Sequence, residues 1–207
     1  MLFRSRKAAP GSRYFLAAAA LTAAALFLPL WGMRMSAPQY PGESLHLRIT
    51  PGGVVGDVHE VQTLQKFIGL KFPTEVGELR WLPPVFTMLA LLFAAAALLP
   101  GGRLNRALRT AVITLHLLLL AASFAFLQWQ LYAVGHTRDP HAPIRGMKDF
   151  TPLALGPTKL GNFTIWSYPH WGGIALALAA VAALLGVRRA RKTAHVPVAV
   201  PDLRRAA

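Results

Sequence analysis

Hydrophobic residues fall into four long runs separated by two mixed-polarity segments. The first run, Tyr14 to Trp31, follows Arg4, Arg6, Lys7 and Arg13 and is apolar for about 18 residues, which predicts an uncleaved membrane helix over a signal peptide. The second, Pro83 to Pro100, has paired prolines at its entry and Pro-Gly-Gly at its exit, positions a helix tolerates at its ends. The third, Ala107 to Val134, is long enough to cross with tilt and carries Gln128, Trp129, Gln130 and Tyr132 at one end as an interfacial belt. The fourth, Trp171 to Val187, stops at Arg188, Arg189, Arg191 and Lys192.

The mixed segments show shorter periods. Residues 45 to 58 alternate around Pro51-Gly52-Gly53, predicting a short hairpin. Residues 58 to 70 place Val58, Val61, Leu64, Phe67 and Ile68 near one helical face before Gly69, predicting a short amphipathic helix. The expected fold class is therefore an all-α membrane protein, a four-transmembrane-helix bundle with a small mixed extracytoplasmic cap from two loops.

Composition sharpens the membrane reading. Of 207 residues, 54% are hydrophobic and 14% charged, and the mean hydropathy is +0.42, too apolar for an ordinary soluble domain. The formal charge of +14 comes from basic residues beside apolar runs, where they orient helices and meet anionic lipid headgroups; no nucleic-acid-binding motif accompanies them. Alternating the runs places the N-terminal segment 1–13, the turn 101–106 and the tail 188–207 on one side. Counting Arg109 near the inner edge, that side holds 13 of the 22 lysines and arginines and one acidic residue. The positive-inside rule puts both termini in the cytoplasm of a bacterial inner membrane and sends segments 32–82 and 135–170 to the outer side. The tail, lacking a sustained apolar period, is expected to be mobile.

The segment from Gly135 to Gly173 holds the densest chemistry. His136, His141 and His170, with Met147 and Met33 or Met35, offer imidazole and thioether ligands suited to copper(I). No ligand spacing fixes their convergence, and a structural role, with His136 and His170 hydrogen-bonding the loops together, weighs about two to one against it. His136 and His170 lead this set, with Met147 and His141 as additional ligands. Asn162, Phe163, Trp166, Tyr168 and Trp171 form an aromatic and polar docking surface for a membrane or periplasmic redox partner.

Without cysteine there is no disulfide, thiolate site or covalent haem. His116 is the one histidine well inside an apolar run, 18 residues or about 27 Å from the outer end of its helix, which separates it in depth from His170 and from a shared haem iron. Its expected role is a polar helix contact. Asp57, Glu60, Asp139 and Asp149 are expected to cap turns or pair with Arg138, Arg145 or Lys148. No Walker loop, dinucleotide fingerprint, nucleophile elbow or zinc-protease motif occurs, and the expected role is non-enzymatic.

The stretches APQYPGESLHLRI, GDVHEVQTLQKFIGLKFP, GHTRDPHAPIRGM and NFTIWSYPHWGG, in that order across residues 31–187, resemble a family of small four-span bacterial membrane proteins found in gene neighbourhoods of nitrous oxide reductase and its copper accessory proteins. Matching positions include Gly56, Asp57, Glu60, Ile68, Gly69, Gly135, His136, Asp139, Pro140, Ala142, Pro143, Asn162, Phe163, Tyr168 and Pro169. The chain departs at Gln65, Lys66, Phe67 and Leu70, where the family carries Asn-His-Tyr and Met, so a first-loop metal pair is missing here. The resemblance implies an accessory protein acting in copper-enzyme maturation or respiratory electron transfer, with copper as the implied ion. The alternative is a structural subunit of a larger membrane redox complex, docking a partner without metal.

Overall fold

The computed structural model describes residues 9–39, 41–70, 80–100, 102–137, 139, 141–143 and 149–194, the last three of these by backbone alone. Among them the chain forms five helices and five strands: α1 (Ser12–Ala24), β1 (Trp31–Ser36), β2 (Ser44–Thr50), β3 (Gly53–Gly56), α2 (Val58–Ile68), α3 (Leu82–Leu98), α4 (Arg103–His136), β4 (Gly156–Leu160), β5 (Phe163–Pro169) and α5 (Trp171–Ala194).

This corrects the expected fold class. The protein is not an all-α four-span bundle: it carries a five-stranded antiparallel sheet, ordered β3-β2-β1-β5-β4, and, among the described residues, two helices long and apolar enough to cross a membrane, α4 and the Trp171–Arg191 part of α5. Length is the physical reason. The 13 residues of α1 rise about 20 Å and the 17 of α3 about 25 Å, short of an apolar core of about 30 Å. The apolar run that begins at Tyr14 leaves the helix at Ala24, turns through Pro29 and enters β1 at Trp31, so its last third is not helical.

The two outer segments meet as one sheet. β1, from the first, lies antiparallel to β5, from the second, with Met33 opposite Ser167 and Arg34 opposite Trp166. The hairpin expected around Pro51-Gly52 is present as β2 and β3, closed by the Thr50 hydroxyl donating to the Gly53 carbonyl at 2.8 Å. The amphipathic helix expected after it is α2, whose Val61 and Ile68 are buried. Gly69 ends α2 in the left-handed conformation, at φ 78°, which a side chain disfavours.

Period-two alternation gives the sheet two unlike faces. Met33, Leu47 and Ile165 point inward, where α2 and the last turns of α4 cover them with Val61 and Leu131. At the other end of the molecule, α1 sits between α3 and α5 through Phe15, Ala18, Leu89, Phe93, Ala179 and Ala183. α4 runs about 51 Å by its 34 residues, so it flanks both layers and projects beyond the start of α5.

Candidate functional site

The sequence-expected metal ligands are dispersed. His136 ends α4, stacks on Tyr132 at 3.9 Å between ring centroids, and its Nδ1 donates to the Tyr132 carbonyl at 2.9 Å. His170 sits at the β5–α5 junction, where its Nδ1 accepts the backbone N–H of Trp171 at 2.9 Å and its own N–H donates to the Leu30 carbonyl. That arrangement leaves the proton of a neutral His170 ring on Nε2, opposite to what a metal at Nε2 requires. Burial, and secondly the Arg48 cation, lower the His170 pKa below the ordinary imidazole value.

No hydrogen bond or ring contact joins His136 to His170 among the described residues. His141 is exposed beside Asp139, at 3.4 Å. Met33 and Met35 line a small apolar cavity of about 60 Å³ under the sheet with Leu47, Val61 and Ile165, so their thioethers fill core space away from the histidines. Met147, together with Arg138, Pro140, Arg145 and Lys148, lies outside the described residues, as do His195 and the rest of the basic tail from that point. Among the described residues no group of three metal-ligating side chains gathers.

Two of the four acidic residues expected to cap turns, Asp57 and Asp139, tie neighbouring segments together. The Asp57 carboxylate accepts the His46 backbone N–H at 2.7 Å, tying the start of α2 to β2. Asp139 donates its backbone N–H to the Gly69 carbonyl at 2.8 Å, which fastens the second outer segment to the end of α2. Ala142 completes that join: a methyl group added at Gly69 would meet its Cβ at 2.6 Å.

The docking set divides between the two faces of the sheet. Phe163 lines the small interior cavity. Trp166, 51% exposed, stands outward, its Cα paired with that of Arg34, which in turn pairs with His46. In the next row Tyr168 lies over Gly32, where an added Cβ would meet its ring at 2.7 Å, and Gly32 pairs with Arg48. Lys159 on β4 faces the same side, and none of the five strands contains a carboxylate. Asn162 is exposed in the β4–β5 turn, and Trp171, 66% exposed, lies beside this face at the head of α5. The sheet thus presents guanidinium, ammonium and aromatic groups together to solvent.

His116 is a helix contact, and its depth differs from expectation. Its Nε2 lies 3.0 Å from the Leu176 carbonyl, six residues beyond His170 on α5, or about 9 Å of helix. The 27 Å separation fails because the outer turns of α4 pass the start of α5 and run up beside the sheet, where Leu131 packs on Met33 and Leu47. What keeps the two rings apart in role is hydrogen bonding, with Nε2 of His116 committed to Leu176 and Nδ1 of His170 to Trp171.

Sequence reasoning missed two features. Arg109, counted in the sequence with the basic residues of the inner edge, is 2% exposed and its guanidinium donates to the carbonyls of Ala96, Leu99 and Pro10 at 2.9, 2.8 and 3.4 Å. The other is a large apolar cavity beside α4 into which His116 and Trp31 are set. Its only sequence signal is a histidine inside a leucine-rich run. Compared with known proteins, the chain matches no family model and no curated protein.

Proposed function

We propose that this is a non-enzymatic accessory protein, held in a membrane by α4 and α5, whose sheet docks an acidic redox partner. The carrying observation is the outer face of the sheet, where Arg34, Arg48 and Lys159 stand among Trp166 and Tyr168 with no carboxylate on any strand. Arginine and aromatic side chains are the types that concentrate binding energy in protein interfaces, and a single-sign face steers an oppositely charged partner. The resemblance supplies the pathway, copper-enzyme maturation or respiratory electron transfer. His136 and His170, engaged separately with their own helices, favour docking over a shared copper site.

Basic residues at the opposite end of the helices, Arg103, Arg106, Arg188, Arg189 and Arg191, support a cytoplasmic placement for that end and an outward sheet. Purification in mild detergent tests the reading. A stoichiometric partner is expected to co-purify with the unaltered chain, less so as salt rises, and at low salt to fall at least tenfold with Arg34→Glu and Arg48→Glu together. A partner retained in full by the doubly reversed variant overturns the docking face. A chain isolated alone with one equivalent of copper, lost in His136→Ala and His170→Ala, overturns docking in favour of metal binding.

A further inference from the structure

Between α3, α4, the first turns of α5 and the underside of the sheet lies a cavity of about 370 Å³, within the size range of ligand sites. It follows α4 from His116 to Val134, about 27 Å of helix. The walls are largely leucine, isoleucine, valine and aromatic carbon, with Ser123 and Gln130 also present, and among the described residues no Asp, Glu, Lys or Arg lines them. Two lining side chains, His116 and Trp31, carry polar atoms, Nδ1 and Nε1, that are buried and without a hydrogen-bond partner among the described residues.

The two nitrogens of His116 are distinguishable. The Leu176 carbonyl can only accept, so Nε2 carries the hydrogen. On the neutral ring Nδ1 is then a bare acceptor, on a side chain 1% exposed and edge-on to Phe93 at 5.3 Å. Trp31 Nε1 has the opposite need, because an indole N–H can only donate. Buried polar atoms in folded proteins are nearly always satisfied, so two orphaned ones beside a cavity point to a group that fills it.

We propose that this cavity binds an uncharged, hydroxyl-bearing amphiphile, its O–H donated to His116 Nδ1 and a second oxygen accepting from Trp31 Nε1. The long apolar wall takes the hydrocarbon part of such a molecule, and the absence of a countercharge among the described lining residues disfavours an ionic headgroup. Supply from the bilayer is direct, since α4 exposes Leu118 and Phe124 along its apolar length. A phenolic ring lipid and an acylglycerol share this chemistry.

Titration calorimetry on the full chain in lauryldimethylamine oxide, a zwitterionic detergent without hydroxyl groups, separates the cases, using decylhydroquinone, its dimethyl ether and dioctanoylglycerol as probes. The hydroquinone or the glyceride is expected to bind, and the dimethyl ether, which keeps its oxygens and loses its O–H donors, to bind about tenfold more weakly than the hydroquinone. A tighter hydroquinone assigns a ring headgroup and a tighter glyceride an acylglycerol, and either supports the site. His116→Phe keeps a ring against Phe93 and should erase the difference between hydroquinone and ether, while Trp31→Phe should weaken binding several-fold. Equal affinity for hydroquinone and ether with no tighter binding of the glyceride, or no binding of any probe, overturns the proposal without any variant having to fold.

Discussion

The guanidinium of Arg109 closes the end of α3, where the last carbonyls of a helix have no partner within it. It reaches Ala96 and Leu99 there, Pro10 before α1, and the face of Phe15 at 5.2 Å, while the Ser12 hydroxyl takes the Ala97 carbonyl at 2.6 Å. A charge held by carbonyl dipoles is sensitive to shape, since the compact ammonium of lysine does not spread its donors over the planar fork of a guanidinium. Arg109→Met should therefore lower unfolding stability by about 3 kcal/mol and Arg109→Lys by less, measured by thermal unfolding in detergent. In the sequence Arg109 stands three residues after Arg106, itself three after Arg103, so it reads as one more basic residue at a membrane edge. Its burial comes from Pro10 and Leu99, more than 80 positions apart, and no local pattern announces that meeting.

His170 makes a second prediction at this scale. Burial and then Arg48 lower its pKa below the usual value of about 6.5, so near that pH the unfolded chain binds more protons than the folded one. The contribution of this group is present in full above about pH 6.5 and is lost as pH falls through the range down to its lowered folded pKa. Protonation also removes the acceptor that holds the Trp171 N–H. Melting temperatures recorded between about pH 5 and 8 should decline toward acid, and His170→Asn, which keeps an acceptor, should flatten the decline. An unchanged slope in that variant would assign the acid sensitivity to other groups.

Among the elements, α1 and α5 owe their contact to small residues. Gly11, at φ 90°, rests against the carbonyl oxygen of Gly186, and a Cβ on Gly186 would meet the Phe15 ring at 2.8 Å. Ala18, Ala179 and Ala183 continue the close approach and are fully buried. Gly11→Ala should cost about 1–2 kcal/mol from backbone handedness alone, with the collision against Gly186 added. Gly186→Ala should cost less because an aromatic ring can shift, and Gly186→Leu should part the helices; unfolding of the three variants would show that order.

The same elements show what the chain's pattern could reveal. Helix α2 and the β2–β3 hairpin were legible because period and punctuation agree over short distances, as at Pro51-Gly52 and Gly69. Strands β1 and β5 were not, because WGMRMS follows an apolar run without a break and FTIWSYP leads into another. Their pairing spans more than 130 residues, and neither strand reveals its partner. The same hidden sheet divided the docking set, sending Phe163 inward and Trp166 outward by alternation.

At the scale of the whole molecule, the end of α4 and α5 that faces out decides what the sheet can meet. The sheet joins the end of α4 and the start of α5, and the basic residues Arg103, Arg106, Arg188, Arg189 and Arg191 gather at the opposite end. Two antiparallel helices long enough to cross would keep these ends on opposite sides of a bilayer, and positive charge is retained on the cytoplasmic one. Because the chain has no cysteine, a single introduced thiol reports its own position. In intact cells, Lys159→Cys on β4 should react with a membrane-impermeant maleimide, and Arg191→Cys should react only after the membrane is opened. The reverse labelling would turn the sheet inward and remove the periplasmic partner from the proposed function. Labelling of both sites in intact cells would mean that α4 and α5 do not separate the two ends at all.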